Sequence, residues 1–199
     1  MVFQPLDYVP YNRTRHLERV CALGEQLFTP DYQSQFRDVA YRALSDSIIV
    51  QNKHTIVGFA LLQHRAPPGL PKLVGLEVAF LGVNPDFQGL GIGSALLRKV
   101  KDLNYTYTWL EVEHYNFDAE RLYRKHGFET WRYTGTIREG GYVLGYSTIR
   151  HELLQRLRSH AHLLKGDTHS PLLEPQQTCS TPPLHSLLHS GHSLPHFVS

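Results

Sequence analysis

The sequence predicts an α/β fold, a mixed central sheet flanked by helices, followed by a disordered C-terminal tail. Three observations carry that expectation. Apolar residues recur at helical spacing up to about residue 43, and from residue 47 the pattern changes to short runs rich in Ile, Val and Phe. Residues 73–103 read as strand, glycine-rich loop and helix, with another strand after them, which sets strands across a helix from one another. Finally, Thr130 to Ile137 and Tyr142 to Ile149 flank Glu139-Gly140-Gly141, a strong hairpin signal.

Each element has its own signal. Leu17, Val20, Cys21, Leu27 and Phe28 share a helical face, with Thr14 as the expected cap. Tyr32, Phe36, Val39, Ala40 and Ala43 form a second helix, opened by Thr29-Pro30, a capping residue followed by proline at the first helical position. Strands over Ser47 to Val50 and Thr55 to Gln63 enclose the turn Gln51-Asn52-Lys53-His54. Pro67, Pro68, Gly69 and Pro71 make the next segment a loop. The strand at 73–83, the glycine loop and the helix at 93–103 follow. A strand over Thr106 to Val112 then leads to a helix from about Asp118 to His126, closed by Gly127.

Composition narrows the function classes. With 199 residues, 41% hydrophobic and 19% charged, the chain can bury a sizeable core. It divides into a domain over residues 1–160 and a low-complexity His/Ser/Pro-rich tail over 161–199. The net charge is only +2, and the most basic stretch, Arg150 to Arg158, is broken by Glu152 and leucines, so it reads as a solvated helix face rather than a nucleic-acid surface. No apolar run reaches the ~20 residues that span a bilayer, and Met1-Val2-Phe3-Gln4-Pro5 lacks a basic-then-apolar leader. Cys21 and Cys179 are far apart and follow no ligand spacing, which fits a reducing compartment. The expectation is a cytoplasmic protein, monomeric or homodimeric, with no nucleic-acid or membrane partner. His185, His189, His192 and His196 could meet a transition metal, but nothing around them fixes a geometry. No metal and no function are expected for the tail.

The chemistry concentrates at Gln88-Gly89-Leu90-Gly91-Ile92-Gly93-Ser94, between the strand ending in Val83 and the helix carrying Leu96, Leu97 and Val100. A helix start offers unpaired N–H groups and a positive dipole end, and glycines let an anion approach that backbone closely. Gly89, Gly91 and Ser94 come near the G-x-G-x-x-G of dinucleotide sites, with Glu111 about where a ribose-binding acid belongs. That motif needs its glycines directly after the strand, however, and Asn84 to Gln88 intervene.

A second motif lies about thirty residues downstream: Asn116, Ala119, Leu122, Tyr123, Gly127 and Phe128 match N-x-x-A-x-x-L-Y-x-x-x-G-F. With the Q-x-x-G-x-G loop before it, and Glu77 eleven residues ahead of Gln88, the chain resembles the GNAT superfamily of coenzyme-A-dependent N-acetyltransferases over residues 12–150. The resemblance implies acetyl-CoA as cosubstrate. Its pyrophosphate would rest on N–H groups of Gln88, Gly89, Leu90, Gly91, Ile92, Gly93 and Ser94. Backbone at Leu81, Gly82 and Val83 would hold the pantetheine arm in a gap between splayed strands, and Asn116 would bond the same arm.

The resemblance also implies chemistry. Glu77 stands at the offset of the catalytic glutamate, where burial would raise its pKa to a useful value for a general base. Glu111 and Glu113 are the reserves. Tyr123 stands where the family's general acid protonates the leaving thiolate; as a packing residue it would serve the helix face instead. Tyr32, Tyr133, Tyr142 and Tyr146 are candidates to line the acceptor groove. The implied activity is acetyl transfer to a primary amine of a small molecule or peptide. A non-catalytic acyl-CoA sensor or adaptor of the same fold is the alternative, and intact Glu77 and Tyr123 favour the enzyme.

Overall fold

The computed structural model describes residues 5–134 and 140–148. Most of the hairpin turn before Gly140, the stretch Arg150 to Arg158, the tail with its histidines, and Cys179 lie outside the described residues. Among those described, the order is β1 (Asp7–Pro10), α1 (Arg13–Leu27), α2 (Pro30–Arg42), β2 (Ile48–Asn52), β3 (Thr55–Arg65), β4 (Gly75–Val83), α3 (Ile92–Asp102), β5 (Tyr107–Glu113), α4 (Phe117–Lys125), β6 (Glu129–Thr134) and β7 (Gly141–Ser147). The strands form one mixed sheet in the order β1-β2-β3-β4-β5-β7-β6. All pairs are antiparallel except β4 with β5, which run parallel across α3.

Three local details depart from expectation. β1 has no counterpart in the sequence reading; its Asp7 to Pro10 pair with Gln51 to Ile48 at the sheet edge, where the proline's missing N–H costs nothing. Helix α1 is capped by Asn12, whose Oδ1 accepts from the Arg15 N–H at 3.1 Å, and not by Thr14, which lies inside the first turn. Thr29 precedes Pro30 at the start of α2, but its side chain makes no capping bond.

Helices cover the two faces. On one, α1 and α2 pack through Phe28 and Phe36 against Phe59 and Phe80 of the sheet; Phe36 to Phe80 is 5.0 Å between ring centroids and Phe28 to Phe80 is 5.2 Å. Aromatic pairs of this kind add about 0.5–1.5 kcal/mol each beyond area burial. On the other face, Leu96, Leu97 and Val100 of α3 and Ala119 and Tyr123 of α4 pack on Leu76, Val78, Leu81, Leu110 and Val112. The alternation of strand side chains therefore sends Glu77, Glu111 and Glu113 to the α1/α2 face. A loop over residues 66–74 folds onto that face too, where Leu70 and Leu73 pack with Tyr107 and Trp131.

Candidate active site

The loop after β4 is built to present a helix start. Asn84 accepts from the Asp86 N–H at 2.9 Å, and Pro85 opens a one-turn 3-10 helix ending at Phe87. The Gln88 side-chain amide then donates to the Val83 carbonyl at 3.1 Å, fastening the loop to the strand it left. Gly89 and Gly91 follow in the left-handed region, φ 74° and 78°, where a residue with a Cβ is strained. Space does not demand these glycines, because a methyl at either would meet no atom within 4 Å. Conformation demands them, and the room above their backbone stays open. Gly91 caps α3 without a side chain, so no side-chain acceptor takes up the first N–H groups of the helix. They face a cavity of about 250 Å³ lined by Val83, Gln88, Gly91, Gly93, Ser94 and Leu122. An uncapped helix start beside an open cleft fits a phosphate-bearing ligand.

Beside this cleft the sheet forks. β4 and β5 pair only at Leu76 with Thr108 and Glu77 with Trp109; beyond Glu77 the two strands part. A register shift in the β3/β4 ladder, where Leu61 faces Phe80 and Leu62 faces Val78, marks a bulge at Ala79 that bends β4 as it leaves. The polar backbone can be assigned around this fork. The Asn84 N–H bonds the Val57 carbonyl, and Gly82 pairs with Phe59 two residues back. In an antiparallel ladder bonded and non-bonded pairs alternate, so Leu81 and Val83 point their N–H and C=O groups away from β3, into the fork. The Gln88 bond to the Val83 carbonyl agrees with that direction. Gly82 instead turns its backbone to β3; a Cβ there would sit 2.7 Å from both Leu27 and Phe59, so its role is to let α1 settle on the sheet.

Glu77 stands on the last paired rung, 1% exposed. Arg65 of β3 approaches its Oε2 at 3.6 Å, an ion pair but not a hydrogen bond, and that oxygen has no hydrogen-bond partner. Burial pushes the Glu77 pKa up to about 7, with Arg65 opposing. Glu111, 2% exposed, is pushed up to about 8, first by burial and then by the Glu77 charge, again with Arg65 opposing. Glu113 is differently placed: the Tyr32 hydroxyl donates to its Oε1 at 3.1 Å, and Tyr115 hydrogen-bonds it as well. Arg65, Trp109 and Tyr115 were not among the sequence-derived site residues. The one available signal was strand parity, since Arg65 lies two residues beyond Gln63, which faces Glu77.

Tyr123 lies on the α3/α4 face, 1% exposed, next to Phe128, and burial alone raises its pKa. It is thus across the sheet from Glu77, with the fork between the two faces. Asn116 caps α4, its Oδ1 accepting from the Ala119 N–H at 3.3 Å. Of the four tyrosines named for an acceptor groove, only Tyr32 reaches the carboxylates. Tyr142 and Tyr146 lie opposite Val112 and Thr108 and pack into the α3/α4 cluster, and Tyr133 pairs with Tyr142 on that same face. Among the described residues no group of three or more His, Cys, Asp or Glu could hold a metal ion, and no helix is long and apolar enough to cross a membrane.

Comparison with known proteins agrees with this geometry. The chain is 41% identical over 59 residues to mycothiol acetyltransferase of Thermobifida fusca, and 38% identical over 76 residues to that of Acidothermus cellulolyticus. Those matches cover 28% and 36% of this chain but only 18% and 23% of the relatives, so the chain spans about a fifth of their length. The fold is shared with Arabidopsis thaliana Naa50 in complex with a bisubstrate analogue, at TM-score 0.55 and 21% identity over 71% of this chain and 98% of that one. It is shared likewise with the ribosomal-protein-S18-alanine N-acetyltransferase of Escherichia coli, at TM-score 0.56 and 19% identity over 72% and 94%. Residues 12–128, more than half of the sequence, match the acetyltransferase (GNAT) family, and with the glycine loop, the forked sheet and the buried glutamate in place, the chain belongs to that family.

Proposed function

We propose that the protein is an N-acetyltransferase that uses acetyl-CoA to acetylate a primary amine of a small molecule or peptide. The observation that carries this reading is the fork itself: a parallel strand pair that opens directly beside an uncapped helix start, with a buried carboxylate at its apex. The N–H groups of residues 88–94 hold the cosubstrate's pyrophosphate, and the backbone of Leu81 and Val83 takes its amide-bearing arm where β5 no longer pairs. Asn116 contributes from the start of α4. The cosubstrate supplies an activated acetyl thioester.

The residues of the chain divide the remaining work. A lysine-like acceptor has a pKa of ~10.4 and is almost wholly protonated at neutral pH, so a base must take its proton. Glu77, with a pKa near neutrality, is matched to that task. Glu77 lies four residues before Leu81 along β4, with the bulge at Ala79 between them, so the proton reaches Glu77 through water. The Leu81 N–H, aimed into the fork, donates to the thioester oxygen as charge develops there. Tyr123 gives its proton to the sulfur as the C–S bond breaks; burial keeps that hydroxyl protonated at neutral pH. The expected setting is cytoplasmic.

Calorimetric titration with acetyl-CoA and, separately, NAD(P) tests the binding half, and acetyl-CoA consumption over amines, amino acids, aminoglycosides and peptides tests the catalytic half. Binding of acetyl-CoA alone and turnover with at least one amine are expected; absence of acetyl-CoA binding would overturn the reading.

A further inference from the structure

Glu77 has a companion on the next strand that the reaction as described leaves unused. In the parallel ladder Glu77 lies beside Trp109, and Glu111 is two residues further along β5 on the same face. Strand geometry puts their Cα atoms about 8 Å apart, within reach of two glutamate side chains. Both are buried, 1% and 2% exposed, and the Oε2 of Glu77 has no hydrogen-bond partner among the described residues. Their surroundings are known on each side. Among the described residues Arg65 from β3 forms an ion pair with Glu77, at 3.6 Å. Val143 of β7 lies opposite Glu111 and offers no polar group. Arg132 of β6 is turned to the Pro68 carbonyl. Tyr32 and Tyr115 are both engaged with Glu113.

Two buried carboxylates with one cation paired to only one of them cannot both remain ionised without a large desolvation and repulsion cost. We propose that Glu111 is a positioning residue that shares one proton with Glu77, so that the two titrate as a single dyad. This rests on the reading of Glu77 as the base. The proton balance is simple. An acceptor arriving as R–NH3+ gives one proton to the ionised member of the pair, leaving R–NH2 and a pair that holds two protons. When the new C–N bond forms and the C–S bond breaks, the sulfur takes the Tyr123 proton, and the second N–H proton, released from nitrogen, restores the Tyr123 hydroxyl. Ammonium and thioester become amide and thiol, and the proton on the dyad returns to water.

The test needs no cosubstrate. In the full chain carrying 13C-labelled glutamate carboxyls, NMR titration from pH 3 to 10 is expected to show Glu77 and Glu111 moving together in two steps more than about 1 unit apart. Glu77→Gln or Glu111→Gln should each leave a single step, with the upper one gone. Independent single steps in the unsubstituted protein, or a remaining carboxyl whose titration ignores loss of its neighbour, would overturn the dyad. Because no acetyl-CoA is present, the outcome is separate from the acetyltransferase reading, which falls instead if acetyl-CoA does not bind.

Discussion

The Gln88 side chain is bonded to the carbonyl of Val83, the last residue of β4, so the glycine loop is pinned to the very strand whose free edge lines the fork. Glycine loop and strand edge are therefore tied to one another. Breaking that tie should loosen both halves of the cosubstrate site.

Gln88→Ala should weaken acetyl-CoA binding about tenfold, since a loop hydrogen bond contributes on the order of 1 kcal/mol. Gly91→Ala should do the same for another reason: the αL conformation costs a residue with a Cβ about 1–2 kcal/mol, and the helix start would shift to relieve it. Calorimetry with acetyl-CoA measures both, and wild-type affinity in Gly91→Ala would show that the loop tolerates another shape.

Glu77→Gln should lower turnover by roughly 10²-fold or more while leaving acetyl-CoA affinity unchanged. In the wild type, rate should rise with pH as Glu77 ionises, reach half its plateau near pH 7 and level off about one unit above. Without that carboxylate the remaining limb belongs to the acceptor's own ammonium, at ~10.4 for a lysine-like amine, so the profile should shift upward. An unaltered pH profile would remove Glu77 from the mechanism.

Stability should fall as pH rises through neutrality. Glu77 and Glu111 keep their protons in the folded state at pH values where the unfolded chain, with carboxyls near 4.5, has lost them. The folded state then binds more protons, so stability is greatest below about pH 4.5 with respect to these groups and is lost through pH 7–8. For Glu77 the loss is on the order of 3 kcal/mol. Denaturant unfolding at pH 5 and pH 8.5 measures it, and in Glu77→Gln the difference between the two should shrink. Equal slopes in both proteins would contradict the assignment.

Tyr123→Phe removes one hydroxyl from a well-packed ring beside Phe128. Turnover should drop by about 10²-fold with little change in melting temperature or acetyl-CoA affinity. A variant that binds and turns over normally would leave the ring as packing only.

Much of this architecture is legible in the sequence because its signals are local. Proline at the start of α2, the positive-φ glycines after β4 and the Ile-, Val- and Phe-rich runs of β2 and β3 each act within a few residues. What escaped depends on partners far along the chain. Asp7-Tyr8-Val9-Pro10 is too short and too proline-limited to read as a strand until Gln51 to Ile48 lie beside it. Asn12 and Thr14 are both good caps by type, and only the first turn of α1 decides between them. Tyr142 and Tyr146 are assigned to a face by their register with β5, and Glu111 meets Glu77 only through the parallel pairing across α3. The Tyr133 assignment depends further on the irregularity between Thr130 and Arg132, which no run of six residues announces.

Most open sheets have two margins, and this one, whose outer margins are β1 and β6, has a third inside the molecule, along β4 past Glu77. An outer margin invites other polypeptides to add themselves, and proteins guard against that with short or proline-bearing strands, as β1 does here. The inner margin is guarded by its location, inside the molecule beside Leu122 and the glycine loop; a slender extended molecule that carries its own amides and a phosphate would complete it. In that sense the sheet is one strand short, and under the proposed function acetyl-CoA would take the place of that strand.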